Sequence, residues 1–365
     1  MDAPGTVPPS INCHACGSVI DLTGREGFTH VECQHCGALS VVPLQFGSFL
    51  LLNSLGVGGI GTVYKAIDLP LNRYLALKIL RKKLADNQRF VDSFSREARA
   101  AASVSHPNVA QVYSFGEREG RYYLAMELLE RGSLDDRLSQ RGRLTEAEVL
   151  DIGVQIASAL GAAQRRGLLH CDVKPGNIQF NDDGIPKIVD FGLARAETPA
   201  VEPNEQPRTG SAWGTPYYCA PETLAGQPED LRSDIYSLGV TLFHALAGRP
   251  LFEGGNVTDF AARDAVQPAL LLKEYAPHIH QATVGLISRM LARNPAERYQ
   301  TYDELICDLK EVRTDIKTPA AESRIVPDSN RRINTVLILT GVGALIASGA
   351  LAWLLWTIRL RLFGQ

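Results

Sequence analysis

The first residues that suggest chemistry are four cysteines near the start of the chain. They form two CxxC pairs separated by sixteen residues, and they are Cys13, Cys16, Cys33 and Cys36. Four thiolates at this spacing are typical of a structural zinc site, because two such turns complete a tetrahedron of sulfur around Zn²⁺. The alternative is a set of unmetallated or redox-active CxxC pairs. We therefore expect a Zn²⁺ site at the N-terminus.

The segment that carries these cysteines, residues 10–44, resembles a zinc ribbon. Gly17 and Gly37 each follow the second cysteine of a pair, where a positive φ is often needed. A segment this small has too little core to fold alone, so the metal would supply its folding free energy. It holds few basic residues and one aromatic, Phe28, and the whole chain has a net charge of −3. This composition predicts no nucleic-acid partner.

A glycine-rich segment further along the chain suggests phosphate binding. Gly56, Gly58 and Gly61 form a GxGxxG motif, and Val63 extends it to GxGxxGxV. The motif alone is weak, because dinucleotide-binding folds also contain it. In those folds it opens a helix, whereas here strand-like segments lie on both sides of it. We therefore predict a strand–turn–strand flap whose bare backbone covers the phosphates of a nucleotide.

Further motifs follow this flap in a fixed order. They are LALK ending at Lys78, a helical Glu97, HCDVKPGN at 170–177, DFG at 190–192, APE at 220–222 and a late Arg298. Motifs of these types in this order resemble those of eukaryotic-like serine/threonine protein kinases of the bacterial type. The resemblance covers residues 46–313. It implies an α+β protein with a two-lobed kinase fold, to which the ribbon and a C-terminal helix are added.

The resemblance implies a catalytic role for each matching residue. Asp172 would orient the substrate hydroxyl or accept its proton, and Lys174 would neutralise charge on the γ-phosphoryl group. Asn177 and Asp190 would hold Mg²⁺, or Mn²⁺, which prefers oxygen ligands. Thr215 would hydrogen-bond to the catalytic Asp and Lys. Together these residues would transfer a phosphoryl group by positioning and by cancelling charge.

The resemblance also implies an ATP site. Lys78 would neutralise the α- and β-phosphates, and Glu97 would hold Lys78 by an ion pair. Met126 resembles the gatekeeper, and the backbone groups that follow it would recognise adenine. The predicted nucleotide-binding residues are Gly56, Val57, Gly58, Gly59, Gly61, Val63, Ala76, Lys78, Glu97, Glu127, Leu129, Asn177 and Asp190.

The catalytic segment implies which acceptor the enzyme uses. Lys174 stands two residues after Asp172, and residues 214–222 resemble the serine/threonine pattern. We therefore expect transfer to Ser or Thr of protein substrates, with dual specificity as the alternative. Two residues depart from the family pattern, since Cys171 replaces an Arg and Gln179 replaces an apolar residue under adenine. A catalytically weak, kinase-like scaffold is the other reading, although such proteins normally lack the Lys or Asp residues present here.

The end of the chain predicts a membrane segment. No charged residue occurs between residues 333 and 358. A helix of that length would extend about 39 Å, enough to cross a hydrocarbon core of about 30 Å. We therefore predict a juxtamembrane linker at 314–332 and a single transmembrane helix at 333–358, with the kinase domain on the cytoplasmic side of the membrane, where ATP is found. The alternative is a buried core helix.

The same segment suggests an oligomeric partner. Ala344, Ser348 and Ala352 lie four residues apart, and a stripe of small residues lets membrane helices approach closely. The pattern leaves two alternatives open, a homodimer and a monomeric anchor.

Overall fold

The computed structural model describes residues 5–85, 87–191, 216–252 and 267–317. Within these ranges, the side chains that lie outside the description are those of Arg89, Ser93, Glu97, Pro216 and Lys317. The chain divides into two units, Met1–Lys317 and Thr318–Gln365, and every described residue belongs to the first.

The cysteines lie in two short β-hairpins, which we call the four-cysteine module (residues 5–43). Its strands are β1 (Ser10–Asn12), β2 (Val19–Asp21), β3 (His30–Glu32) and β4 (Leu39–Val41). β1 pairs with β2 and β3 with β4, in both cases antiparallel. Each CxxC pair lies in the turn of its own hairpin. Two hairpins of three-residue strands bury little apolar surface, so the module depends on other contacts for stability.

A six-stranded antiparallel sheet follows the module and forms the N-terminal lobe. Its strands are β5 (Leu44–Phe46), β6 (Phe49–Val57), β7 (Gly61–Asp68), β8 (Arg73–Leu80), β9 (Val112–Arg118) and β10 (Arg121–Met126), in the spatial order β5-β6-β7-β8-β10-β9. The last six residues of β8 are all buried, because apolar clusters cover both faces of the sheet. A continuous apolar run of this kind is typical of a strand with two covered faces.

Two helices, α1 (Lys82–Ala85) and α2 (Gln88–Ala102), cover one face of this sheet. Asn87 caps α2 by accepting a hydrogen bond from the backbone amide of Phe90. Phe90, Phe94 and Ala98 recur every four residues and are buried against the sheet, as expected for one face of an amphipathic helix.

The C-terminal lobe is mainly helical. Its helices are α3 (Leu134–Arg141), α4 (Glu146–Gln164), α5 (Pro221–Leu224), α6 (Leu231–Ala247), α7 (Pro268–Tyr275), α8 (Gln281–Met290) and α9 (Tyr302–Lys317). A small hairpin, β11 (Ile178–Phe180) with β12 (Pro186–Ile188), lies between α4 and α5 in chain order. Ser133 and Thr145 each close a capping box at the start of α3 and α4, which satisfies otherwise unpaired backbone amides.

Helix α6 is the central element of this lobe. Nearly every residue from Ser233 to Leu246 is buried, and a helix that is covered on all sides must lie inside a core. Asp230 caps its first turn, and Gly248 ends it with a φ of 74°. The helix is therefore fixed at both ends and can serve as a rigid support.

A buried ion pair joins two further parts of this lobe. Both terminal nitrogens of the Arg298 guanidinium donate hydrogen bonds to the carboxylate of Glu222, at 2.7 and 2.8 Å, and Arg298 is 1% exposed. The remaining guanidinium hydrogens bond to the carbonyls of Ala292, Arg232 and Arg293. All five donors of the guanidinium are thus used, which offsets the cost of burying its charge.

The prediction of a membrane location is corrected by the fold. Within residues 5–85, 87–191, 216–252 and 267–317, no helix has the length and the apolar character needed to cross a membrane. The longest helix described, α4, carries three acidic residues and packs in the core of the lobe. The predicted transmembrane helix at 333–358 lies outside the described residues, and α9 continues to Lys317, four residues into the predicted linker. The prediction of a single-pass membrane location with a cytoplasmic kinase domain is therefore wrong.

The buried ion pair gives a test of this packing. Arg298→Lys keeps the charge but loses the planar fork, so it should lower the free energy of unfolding by about 3 kcal/mol. The matched control is Arg141→Lys, because Arg141 bonds Glu148 with both nitrogens at a surface where the two side chains are 48% and 42% exposed. Urea unfolding should show little change for the control. Equal effects of the two substitutions would contradict the role given to the buried pair.

Candidate active site and metal centre

Three predicted catalytic residues form one hydrogen-bonded cluster. Oδ2 of Asp172 accepts hydrogen bonds from Nζ of Lys174 at 2.7 Å and from Nδ2 of Asn177 at 2.9 Å. Nδ2 of Asn177 also donates to the carbonyl oxygen of Asp172 at 2.8 Å. Because both hydrogens of this amide point at Asp172, the Oδ1 atom of Asn177 is left available as a ligand for a cation.

A second predicted pair connects the two lobes. Nζ of Lys78, on β8, lies 2.8 Å from Oδ1 of Asp190, which follows β12. Partial burial favours the neutral carboxyl, but the charge and hydrogen bond of Lys78 outweigh it, so the pKa of Asp190 lies below its ordinary value. The charge of Lys174 acts on Asp190 in the same direction. The Asp190 carboxylate is therefore charged at neutral pH and suited to hold a divalent cation.

The predicted ion pair between Lys78 and Glu97 stays a prediction. Glu97 lies on α2, as the sequence predicts, but its side chain is outside the description. The described partner of Lys78 is Asp190. Thr215 and Gly192 also lie outside the described residues, so their predicted roles remain predictions.

Backbone strain marks both segments that carry predicted catalytic residues. Cys171 and Asp190 both have a φ of 61°, a left-handed conformation that costs a non-glycine residue about 1–3 kcal/mol and persists only when its surroundings impose it. At Cys171 the surroundings are the carboxylate of Asp234 on α6. It accepts the backbone amides of His170 and Cys171, each at 2.8 Å.

The imidazole of His170 makes the link between this loop and the strand before Asp190. Its Nδ1 atom accepts the backbone amide of Asp172 at 3.2 Å, so the proton lies on Nε2, which donates to the carbonyl of Val189 at 2.9 Å. The ring is fully buried and lies 4.8 Å from that of Phe191. His170 thereby connects the backbone of Asp172 to that of Val189, the residue before Asp190.

The glycine-rich turn has the form of the predicted flap. It joins β6 to β7, and the amide of Gly58 bonds the carbonyl of Gly61 at 2.9 Å. Arg81 holds the turn from below by donating to the carbonyl of Gly58 at 2.7 Å. A side chain at Gly61 would collide with the carbonyl of Ile79, whereas the space beside Gly56 is open. Packing therefore requires glycine at Gly61, and an open surface leaves room for phosphate at Gly56.

The remaining predicted nucleotide residues lie around this turn. The register pairs Val63 with Lys78 and Lys65 with Ala76. Since directly paired residues, and residues two apart, share a face of the sheet, Val63 and Ala76 lie on the face of Lys78. Val57 ends β6 with a side chain that is 59% exposed, and Gly59 lies in the turn itself. The sheet thus gathers the residues predicted to cover the nucleotide.

The segment after Met126 is anchored by contacts that sequence analysis missed. The amide of Glu127 bonds the carbonyl of Gln111 at 2.8 Å. Its carboxylate accepts Nζ of Lys187 at 3.0 Å and the amide of Gln111 at 3.1 Å. Glu127 and Lys187 are sixty residues apart in sequence, so no local pattern indicates the pair. Among the described residues, no group forms a hydrogen bond with the backbone amide of Leu129. This amide is therefore available to an adenine base.

The two departures from the family pattern have defined places. Cys171 is the strained residue held by Asp234. Gln179, on β11, turns its amide aside and donates to the carbonyl of Gly176 at 3.0 Å. Gly176 immediately precedes Asn177 in the same turn, so Gln179 supports the turn that presents this cation ligand.

The four cysteines form a second candidate centre. Their sulfurs all lie within 4.8 Å of one another. Cys13 lies 3.6 Å from Cys36, and Cys16 lies 3.7 Å from Cys33. A tetrahedron with Zn–S bonds of about 2.3 Å has edges of about 3.8 Å, whereas a disulfide is about 2.05 Å long. The arrangement therefore fits a tetrahedral metal ion and excludes a disulfide in this structure.

The backbone around the cysteines repeats in both hairpins. The amide of Gly17 bonds the carbonyl of Cys13 at 2.8 Å, and the amide of Gly37 bonds that of Cys33 at 2.9 Å. The two glycines have φ values of 75° and 74°, which a side chain would disfavour. The group could therefore hold one metal ion between two equivalent turns.

The sequence of this chain is similar to those of known protein kinases. A family model described as protein kinase domain matches residues 49–308. The serine/threonine-protein kinase PrkC of Bacillus subtilis is 34% identical over 264 residues, which cover 72% of this chain and 40% of PrkC. The serine/threonine-protein kinase PknD of Mycobacterium tuberculosis is 36% identical over 269 residues, which cover 73% of this chain and 40% of PknD.

A solved structure shows the same fold. The crystal structure of the PknI kinase domain of Mycobacterium tuberculosis matches with a TM-score of 0.58 and 29% identity, covering 74% of this chain and 97% of that chain. The chain spans about two fifths of the length of PrkC and PknD. These matches confirm the two-lobed kinase fold predicted from the sequence, and the family match leaves the four-cysteine module outside it.

The carboxylate of Asp234 provides a test of the site's support. Asp234→Asn keeps the shape of the side chain but replaces one acceptor oxygen by an NH2 group, which faces the backbone amide of His170 or Cys171 and cannot accept its hydrogen bond. This should lower the free energy of unfolding by about 3 kcal/mol. Asp183→Asn, at an exposed turn, is the control and should behave as wild type in urea unfolding. An Asp234→Asn chain as stable as wild type would contradict the role of Asp234.

Proposed function

The chain belongs to the protein kinase family, and we propose that it transfers the γ-phosphoryl group of magnesium ATP to Ser or Thr hydroxyls of protein substrates. The observation that carries this proposal is a charged Asp190, held by Lys78, beside the cluster of Asp172, Lys174 and Asn177. Phosphoryl transfer requires positioning and charge cancellation more than covalent chemistry, and this set of groups supplies both.

The residues present fit a nucleotide with a divalent cation. Asn177 Oδ1 and the Asp190 carboxylate are the oxygens that would hold Mg²⁺ or Mn²⁺. Lys78 would bind phosphate oxygens beneath the glycine-rich turn, and the backbone of Glu127 and Leu129 would bind adenine. When bound, magnesium ATP supplies the transferable phosphoryl group and the cation that offsets its charge.

The acceptor side is built from the catalytic loop. Asp172 would orient the incoming hydroxyl and take up its proton at a carboxylate oxygen. Lys174, already 2.7 Å from this carboxylate, would stabilise negative charge that develops on the phosphoryl oxygens. Thr215 would hydrogen-bond to both. The serine/threonine class rests on Lys174 and on the similarity to PrkC and PknD, which are serine/threonine-protein kinases.

We also infer that Cys13, Cys16, Cys33 and Cys36 bind one structural Zn²⁺ ion. The sulfur separations support this assignment, as do the matched glycine turns. Zinc prefers four thiolates in a closed tetrahedral site, with no position open to substrate. The metal would stabilise two hairpins whose own core is small.

Phosphoryl transfer is tested with variants of the site lysine. Lys78→Met should lower the rate of peptide phosphorylation at least about a hundredfold, because a charge that stabilises the phosphates is removed. Lys82→Met, at an exposed position on α1, should keep the wild-type rate. The measurement is incorporation of labelled phosphate from ATP, with circular dichroism to show that both variants fold. A wild-type chain that transfers no phosphate to Ser, Thr or a generic peptide would favour the scaffold alternative.

Metal content tests the second assignment. Protein purified without chelators should contain close to one zinc per chain by elemental analysis. Cys33→Ser should reduce this to less than about half, whereas Cys307→Ser, at an exposed cysteine outside the cluster, should leave it unchanged. A wild-type chain with less than about half a zinc, or with zinc that survives Cys33→Ser, would refute the assignment.

A further inference from the structure

The four-cysteine module is joined to the nucleotide-binding sheet by its backbone. β5 begins two residues after β4 and pairs with β6 as the outermost strand of the six-stranded sheet. At its other end the module pairs with the same strand, because Thr6 and Gln45 exchange two backbone hydrogen bonds of 3.0 and 2.7 Å. The module is therefore an extension of the sheet and not a domain attached only by a linker.

One aromatic contact connects the module to the strand that leaves the glycine-rich turn. The ring of Phe28 stacks on that of Tyr64 at 5.6 Å, with an angle of 18° between them. Phe28 has a φ of 65°, although it is not glycine, and its amide bonds the carbonyl of Val42 at 2.7 Å. A non-glycine residue holds this conformation only when its surroundings impose it, so the stacking and the Val42 bond define where the ring lies.

Apolar packing continues this contact to the cysteines themselves. Cys13 and Cys33 are buried in the core of the module. Val7 packs against that core and also against the core of the sheet, which contains Leu44 and Tyr64. Sulfur atoms, Val7 and the sheet core are thus parts of one packed path, and packed cores transmit shifts because they contain few voids.

Tyr64, which receives this contact, lies beside the predicted nucleotide site. Tyr64 is next to Val63, which pairs with Lys78 across β7 and β8. β7 begins at Gly61, the last glycine of the turn, where no side chain fits. A change in the position of Tyr64 would therefore shift the strand that places both the turn and Val63.

We propose that metal binding by the four cysteines controls nucleotide affinity, because the metal-ordered module holds Phe28 against Tyr64 of β7 and Val7 against the core of the sheet. This inference rests on the zinc site of the proposed function. Without metal the two hairpins lose most of their folding free energy, so Phe28 would no longer be fixed against Tyr64. Since coupling between two sites is reciprocal, bound nucleotide would also retain the metal more tightly.

The experiment measures the dissociation constant of a fluorescent ATP analogue, with Mg²⁺, on the full chain. Wild-type protein is stripped with a chelator, which is removed by gel filtration before the analogue is added. Stripped protein should bind the analogue about tenfold more weakly than untreated protein. Phe28→Ala should bind about tenfold more weakly while still holding one zinc, and stripping it should change the affinity by less than about threefold further.

Leu39→Ala is the matched control. It removes an apolar side chain from the same module, but Leu39 is 63% exposed. The variant should bind the analogue as wild type does and should respond to stripping as wild type does. If Leu39→Ala weakened binding as much as Phe28→Ala, the Phe28 contact would not be the cause and the proposal would fail.

The outcomes separate the coupling from the zinc site. Zinc content is measured apart from nucleotide affinity, so a wild-type chain without zinc refutes the metal assignment and this inference with it. One zinc per chain, with affinities of stripped and Phe28→Ala protein within about threefold of wild type, refutes the coupling alone. If stripped protein aggregates, the comparison of zinc-bound Phe28→Ala with Leu39→Ala decides the question by the same threshold.

Discussion

The buried carboxylate of Asp234 is the contact on which the rest of the active site depends. It accepts the backbone amides of His170 and Cys171 and so holds Cys171 in a left-handed conformation. Burial raises the pKa of Asp234, which means that the fold keeps a carboxylate where its charged form is disfavoured. Asp234 thereby connects α6, which is buried on nearly all sides, rigidly to the loop that carries Asp172.

The active site is assembled from two lobes that must keep a fixed separation. Lys78 comes from the sheet and Asp190 from the segment after β12, and their ion pair crosses the cleft. Glu127 and Lys187 make a second polar connection at the back of the cleft. Both pairs are partly buried, so their attraction is screened less than that of a surface pair, and they can set the spacing that a nucleotide and cation require.

The N-terminal cysteines show how a small module can become part of a larger one. Short hairpins with few buried residues are marginal by themselves, yet here two backbone hydrogen bonds, an aromatic stack and apolar packing join them to the sheet. Phe28 is the clearest case, because it combines a positive φ with stacking on Tyr64 and a hydrogen bond to Val42. A module placed in this way can stabilise the sheet.

Sequence analysis was enough to indicate both candidate centres, because the CxxC pairs, the glycine-rich motif and the motifs around Asp172 and Asp190 are local patterns with few alternatives. It also indicated the two-lobed fold, through the order of those motifs. Tertiary structure decided what no local pattern contains. The Glu127–Lys187 pair joins residues far apart in the chain, and the stacking of Phe28 on Tyr64 joins two segments that look independent in sequence. Such contacts depend on which surfaces the folded chain brings within a few ångströms, and the spacing of residues along the chain does not encode that.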